Sequence, residues 1–397
     1  MFTRRRSALA IIGSMAAILW LVPAFASAQQ TLRIGELAAL TGPLAPYGTQ
    51  IHNARLIAID EINAKGGISV GGKRYKLELA HLDVGPPGEA VKVFERLLTV
   101  EKVNIVLDGL FSSIQYALGP VIKGKNVLVV WSGGNDPGTT VGVPNAFRNH
   151  FDGGRPFMKV SEQFLKKTGV KRVATYGMTG HSEFKAFVEE YLPKLPGIEV
   201  VAREWHRFGE QDFFPVLTKL KGIKPDAIIT HTLAGDLLAM LKQAKEIGLY
   251  PGPVSVWLNQ AAMGPLMIDE GSRKVMEGTY ESLQASMAAT TEPTPKGQAF
   301  FQTYAKRFGE KGFGPWAESG YDSLYIVAKA VEKAGTADDL QKMIDAMRQL
   351  TTSDIPELLL GYKPGKLFDK DGQAYPKIVI SQWKDGKSVP VLSDYGD

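Results

Sequence analysis

Short apolar runs alternate with longer amphipathic ones along most of this chain, and that alternation restricts the fold more than any other feature. Leu32–Leu37, Tyr75–Leu82, Asn104–Asp108 and Val127–Trp131 have the length and composition of strands. The segment after the first of them is helical, because Ile51, Ala54, Ala58 and Ile62 recur on one face. Gly66-Gly67 stops that helix, since glycine enters the left-handed cap without a Cβ penalty. Strand alternating with helix implies parallel pairing and right-handed crossovers. Phe147–Phe151 marks a boundary, and a second alternation follows, with strands at Arg172–Tyr176, Glu199–Glu204, Ala227–His231 and Val254–Trp257. Two such units in tandem predict an α/β fold of two doubly wound αβα lobes. Past the Pro/Thr-rich Thr290–Pro295, the pattern turns helical at Lys296–Phe308, Ala317–Ala334 and Asp338–Leu350.

A chain of 397 residues exceeds what one core usually holds, which agrees with two domains. Its N-terminus has another purpose. Arg4, Arg5 and Arg6 precede the apolar Ala8–Val22, and Ala26-Ser27-Ala28 has the form of a cleavage site. This is the pattern of a secretory signal peptide covering residues 1–28, cleaved after Ala28. Thr3-Arg4-Arg5 matches a twin-arginine signal too loosely to choose an export route. Cleavage removes three arginines and no acid, so the net charge of +5 falls to +2. A nearly neutral mature chain offers no electrostatic basis for nucleic-acid binding. The sequence has no cysteine, so both lobes depend on packed cores and no thiol is available for a lipid anchor.

The opening unit carries two linked motifs, Thr41-Gly42-Pro43-Leu44-Ala45-Pro46-Tyr47-Gly48 and Asp60-Glu61-Ile62-Asn63-Ala64-Lys65-Gly66-Gly67-Ile68. Together they closely resemble the start of periplasmic binding proteins of the leucine/isoleucine/valine type, the type I solute receptors that feed ABC importers. The resemblance runs from about Leu32 to Trp383 and implies a type I fold whose chain crosses three times between lobes. The first lobe is then expected over 29–148 and 281–370, and the second over 149–280 and 371–397. It also implies a monomeric periplasmic receptor that binds a solute, hands it to permease subunits in the inner membrane, and performs no catalysis.

In a doubly wound sheet, ligands gather where strands end at their carboxyl termini. The loops around Tyr47, at Phe111-Ser112-Ser113 and at Ser132–Asp136 meet that condition in the first lobe. Hydroxyls and unpaired amides at a helix start suit a carboxylate, although the same serines would also serve as plain caps. Carried over residue by residue, the family's site falls on Tyr47, Ser112, the Gly133, Gly134 and Asn135 group, His181, Leu233 and Asn259. Phe111, Ser113 and Trp131 complete the expected lining, with the aromatics equally suited to core positions. The family's acid for the substrate ammonium falls near Asn259, and neither Asn259 nor Gln260 carries a charge. A buried ammonium needs a counter-ion. The expected ligand is therefore a small carboxylate with an apolar or aromatic body. A branched-chain or other amino acid or amide is the alternative, as is a ligand sensor uncoupled from transport.

Several other signals lead elsewhere. Gly119–Asn126 is one residue short of a P-loop, lacks the metal-binding hydroxyl, and is placed to end a helix and enter a strand. No GxSxG elbow occurs, and Ser112 has no base near it in sequence. The six histidines show no paired ligand spacing, so no metal or other cofactor is expected.

Overall fold

The computed structural model describes residues 30–84, 87–108, 111–260, 269–284 and 291–397. The expected signal peptide and its cleavage site lie outside the described residues. Among those described, no helix is long and apolar enough to cross a membrane.

The first lobe begins with β1 (Gln30–Ala38), α1 (Ala45–Ala64), β2 (Ile68–Val70), β3 (Lys73–Asp83) and α2 (Pro87–Thr99). β4 (Ile105–Asp108), α3 (Ser112–Ile122), β5 (Leu128–Trp131) and β6 (Ala146–Arg148) follow. Their sheet has the order β2-β3-β1-β4-β5-β6, and β2–β3 is its antiparallel pair. The chain therefore leaves β1 for β3 on one side, and α2 then carries it from β3 back past β1 to β4 on the other. That reversal leaves a crevice at the carboxyl ends of β1 and β4.

The second lobe contains α4 (Arg155–Thr168), β7 (Arg172–Met178), α5 (Ser182–Ala186), β8 (Glu199–His206) and α6 (Phe214–Ile223). It continues with β9 (Ala227–His231), α7 (Ala234–Glu246), β10 (Val256–Asn259), α8 (Glu270–Met276) and β11 (Tyr280–Gln284). After β11 come α9 (Pro295–Phe308), α10 (Trp316–Ala334) and α11 (Leu340–Gln349), then β12 (Ile378–Lys384) and β13 (Lys387–Asp394). The second sheet runs β13-β12-β11-β10-β9-β7-β8 and reverses direction of growth at β7.

Four apolar clusters fill the two sandwiches. α1, α9, α10 and α11 cover one face of the first sheet, with Ile57, Ile105, Leu128, Leu324 and Met347 in that layer. α2 and α3 cover the other through Phe94, Leu97, Ile114 and Leu118. Phe164, Val173, Phe184 and Ile229 pack one face of the second sheet, and Leu217, Ile228, Met240 and Trp257 pack the other. Helices on both faces of a parallel sheet explain why the central strands read as unbroken apolar runs. The boundary expected at 281 falls inside β11, because β11 pairs with β10 and β12 and so belongs to the second sheet.

The return path is fixed by pairing between crossing segments. The Arg148 amide donates to Gly372 O at 2.8 Å, and the Ala374 amide donates to Arg148 O at 2.9 Å. Buried Gln373 donates from Nε2 to His150 O at 2.8 Å, so the two crossings run side by side.

Candidate functional site

Each lobe contributes residues near strand ends to one cleft of about 770 Å³, counting the part open to solvent. From the first lobe come Tyr47, Phe111, Ser112, Ser113, Gly134 and Asn135. α3 starts at Ser112, and its first backbone bonds run from the Ile114 and Gln115 amides to Phe111 O. The Ser112 and Ser113 amides thus stand outside the helical ladder, at the positive end of the helix dipole. Ser112 does not cap its own helix: its Oγ accepts the Asp136 amide at 3.1 Å and keeps its proton for another acceptor.

The loop after β5 is pulled toward the same point. Gln115 Nε2 donates to Gly133 O at 2.6 Å, Arg148 Nη1 to Gly134 O at 3.0 Å, and the Gly153 amide to Asn135 O at 2.8 Å. These three carbonyls are engaged within the protein. Gly134 has φ +72°, and a Cβ there would come within 2.9 Å of the Ser112 nitrogen. Only glycine lets this loop lie against the start of α3.

Gly180, His181, Glu183, His231, Leu233 and Gln260 face them from the second lobe. His181 Nδ1 lies 3.3 Å from a Glu183 oxygen, and the two imidazole rings of His181 and His231 are 4.2 Å apart. Burial pushes the Glu183 carboxyl up, but the His181 hydrogen bond and nearby imidazoles outweigh it and hold the group down to about 2. His231 is pushed down to about 3, by burial first and then by His181. At neutral pH the second lobe therefore presents a carboxylate beside an uncharged imidazole.

A third set closes the side wall. His150, 1% exposed, follows β6, and its ring lies nearly parallel to Trp316 at 6.5 Å and against Phe151 at 4.9 Å. Burial, reinforced by Arg148, lowers its pKa to about 3, so the ring is neutral. Neither of its ring nitrogens has a hydrogen-bond partner among the described residues. Tyr47 packs edge-on to Trp316 at 5.1 Å, and its hydroxyl accepts the Ala234 amide of the second lobe at 3.3 Å. Ser182 of the second lobe also donates to the Asp136 carboxylate of the first.

A family model described as Periplasmic binding protein matches residues 31–388. The chain belongs to this family. Among its relatives is the Leu/Ile/Val-binding protein homolog 7 of Brucella abortus, 26% identical over 385 residues that span 93% of each chain. A solute-binding protein of an ABC transporter from Rhodopseudomonas palustris, solved with p-hydroxybenzoic acid, superposes with a TM-score of 0.77 at 18% identity. The match covers 92% of this chain and 97% of that one. The branched-chain amino acid transporter substrate-binding protein of Streptococcus pneumoniae, solved with isoleucine, gives a TM-score of 0.75 at 22% identity. That match covers 92% of this chain and 99% of the other. These structural likenesses establish the bilobed type I fold.

In this periplasmic binding protein the cleft brings together Tyr47, Phe111, Ser112, Ser113, Gly134, Asn135, His181 and Leu233 of the expected residues. The other three lie elsewhere. Trp131 is fully buried among Leu118, Val129 and Phe94, because its position in β5 turns the indole toward α2 and α3. Gly133 sits one residue behind the lining, where its carbonyl meets Gln115. Asn259 ties strand ends together, its Oδ1 accepting Thr230 Oγ1 at 3.1 Å and the Thr232 amide at 3.3 Å. Gln260, the next residue, takes the place in the lining.

Residue-by-residue carry-over missed His150, Phe151, Gly180, Glu183, His231, Gln260, Pro315 and Trp316. The strand-end rule, applied to β7 and β9 as it was to the first lobe, reaches Glu183 and His231. Pro315 and Trp316 had no local signal, since α9 and α10 return to the first lobe only in three dimensions. Asn259 and Gln260 carry no charge where the family's acid is expected, but an acid from another element, Glu183, lines the cleft.

Proposed function

We propose that this chain is the solute receptor of an ABC importer, exported to the periplasm, that holds a small aromatic carboxylate between its lobes and passes it on unchanged. The observation carrying this reading is the make-up of the cleft lining. Ser112, Ser113 and the start of α3 offer donors for a carboxylate from the first lobe, and His181 with Glu183 offers an acceptor from the second. Tyr47, Phe111, Phe151 and the His150–Trp316 pair add flat walls suited to a planar body. A ligand of this class carries a hydrogen-bond donor, such as a hydroxyl, opposite its carboxylate. The p-hydroxybenzoate complex of the Rhodopseudomonas palustris protein supports that choice by likeness of fold.

Glu183 also favours a second reading, because a buried carboxylate can serve as counter-ion to the ammonium of an amino acid. The two readings separate in a thermal-shift and calorimetric screen of the mature protein with benzoate, 4-hydroxybenzoate, leucine, isoleucine and valine. Tight ligands raise the midpoint. Aromatic acids are expected to do so, with 4-hydroxybenzoate ahead of benzoate. A shift with the branched-chain amino acids alone overturns the aromatic assignment and leaves the amino-acid one.

In the division of labour proposed here, the sheet of β1–β6 with α9–α11 forms one lobe and the sheet of β7–β13 the other. Crossings at 149–154 and before β12 act as the hinge. Each lobe contributes part of the lining, so the ligand binds the closed arrangement better and shifts the population toward it.

A further inference from the structure

Two partly exposed histidines converge on one buried carboxylate of the first lobe, away from the cleft. Glu36 on β1 is fully buried, with His52 Nδ1 at 2.6 Å and His81 Nδ1 at 3.1 Å from its Oε2. His52 comes from α1 and His81 from β3, where it pairs directly with Glu36. Their rings are 5.0 Å apart, and their side chains keep 19% and 22% exposure, which leaves a route from solvent. We propose that Glu36, His52 and His81 form a binding site for a divalent transition metal of the zinc class.

One ligand atom from each residue lies within 4.8 Å of the other two, near enough for small side-chain movements to gather all three around one ion. Two imidazoles and a carboxylate are a donor set suited to zinc, nickel or copper(II), with further positions left for water. The carboxylate is already aimed. Arg55 holds Glu36 Oε1 at 2.9 Å and is itself fixed by Ser132 Oγ at 2.9 Å and Asp108 O at 3.3 Å. Such support behind a ligand is what orients it for a metal. The arginine also sets selectivity. It balances the charge of Glu36, so calcium or magnesium, which bind chiefly through negative oxygen ligands, gain little. A metal that bonds to imidazole keeps most of its gain. The six histidines gave no ligand spacing in sequence because these ligands come from three separate elements.

Mature protein stripped with EDTA and titrated with zinc sulfate tests the assignment by calorimetry and thermal melting. One saturable equivalent and a raised midpoint are expected, with calcium giving neither. The His181, Glu183 and His231 group in the cleft has a similar donor set and is the necessary control. His52→Ala/His81→Ala is expected to weaken zinc binding by at least about 10-fold, while His181→Ala/His231→Ala leaves that equivalent intact. His81→Gln keeps a donor beside Glu36 but removes the imidazole, so it weakens zinc binding even if the double variant folds poorly. No saturable zinc binding overturns the proposal. So does binding that survives His81→Gln, that is lost instead with His181 and His231, or that calcium reproduces.

Discussion

His150 has no partner for either ring nitrogen, and leaving a buried donor or acceptor unpaired costs about 1–3 kcal/mol. A ligand group that pairs with either nitrogen would recover part of that cost. His150→Phe keeps the flat surface beside Trp316 and removes both nitrogens, so ligand affinity should fall by about 1–3 kcal/mol without a lower thermal midpoint. A midpoint that falls with affinity unchanged would make the ring a packing element only. Ser112→Ala should weaken binding by a similar amount, about 1–3 kcal/mol, and unchanged calorimetry would place the serine outside the site. The same histidine makes stability depend on pH. His150 and His231 are held near 3, against an ordinary value of 6.5. Between those limits the unfolded chain binds protons that the folded chain refuses, so stability rises with pH through that window. Glu183, held down to about 2 against 4.5, adds the same sign below pH 4.5. Urea denaturation from pH 4.5 to 7 should show a slope shallower in His150→Phe than in wild type, on the order of 1 kcal/mol per pH unit. Parallel curves would show that His150 does titrate in the folded protein.

At the level of elements, the join between β1 and α1 decides where Tyr47 stands. A Cβ on Gly48 would meet the Ala39 carbonyl oxygen at 2.0 Å, and its other nearest atoms are also Ala39 backbone, with no flexible side chain to yield. Gly48→Ala should therefore destabilise the protein by roughly 1–3 kcal/mol and displace Tyr47, weakening ligand binding, as chemical denaturation and calorimetry would show. This join was legible in sequence, because strand, Gly/Pro loop and helix each leave a strong local pattern. So were the long alternating elements of both lobes. β2 and β6 were not, since each has three residues, too few to show a period. β13 carries Pro390, which belongs on the sheet edge where it lies but breaks the pattern of a strand. The site divided the same way. Loop positions after β4 and β5 could be read from motif and strand end. Which of two adjacent residues faces the cleft, Asn259 or Gln260, depends on a twist that the sequence does not display. Trp316 arrives from a helix that no local pattern assigns to the cleft.

At the scale of the whole molecule, two polar contacts among the described residues join the lobes across the cleft. The Ala234 amide reaches Tyr47, and Ser182 reaches Asp136. Ser182→Ala removes one of these contacts without touching the lining, and should reduce ligand affinity by about 0.5–1.5 kcal/mol through a smaller closed population. Ligand-induced compaction in small-angle scattering would persist but require more ligand. Affinity that is unchanged would mean that this contact does not favour closure. The pairing of Arg148 with Gln373 has a broader consequence. Two segments stapled together behind the jaws should bend as one leaf, so the readiness to shut before any solute arrives is set by the staple. Changes at Gln373 should scale the grip on every solute by a common factor and leave their ranking untouched. A lineage could in this way retune how hungrily the receptor scavenges while its taste stays the same.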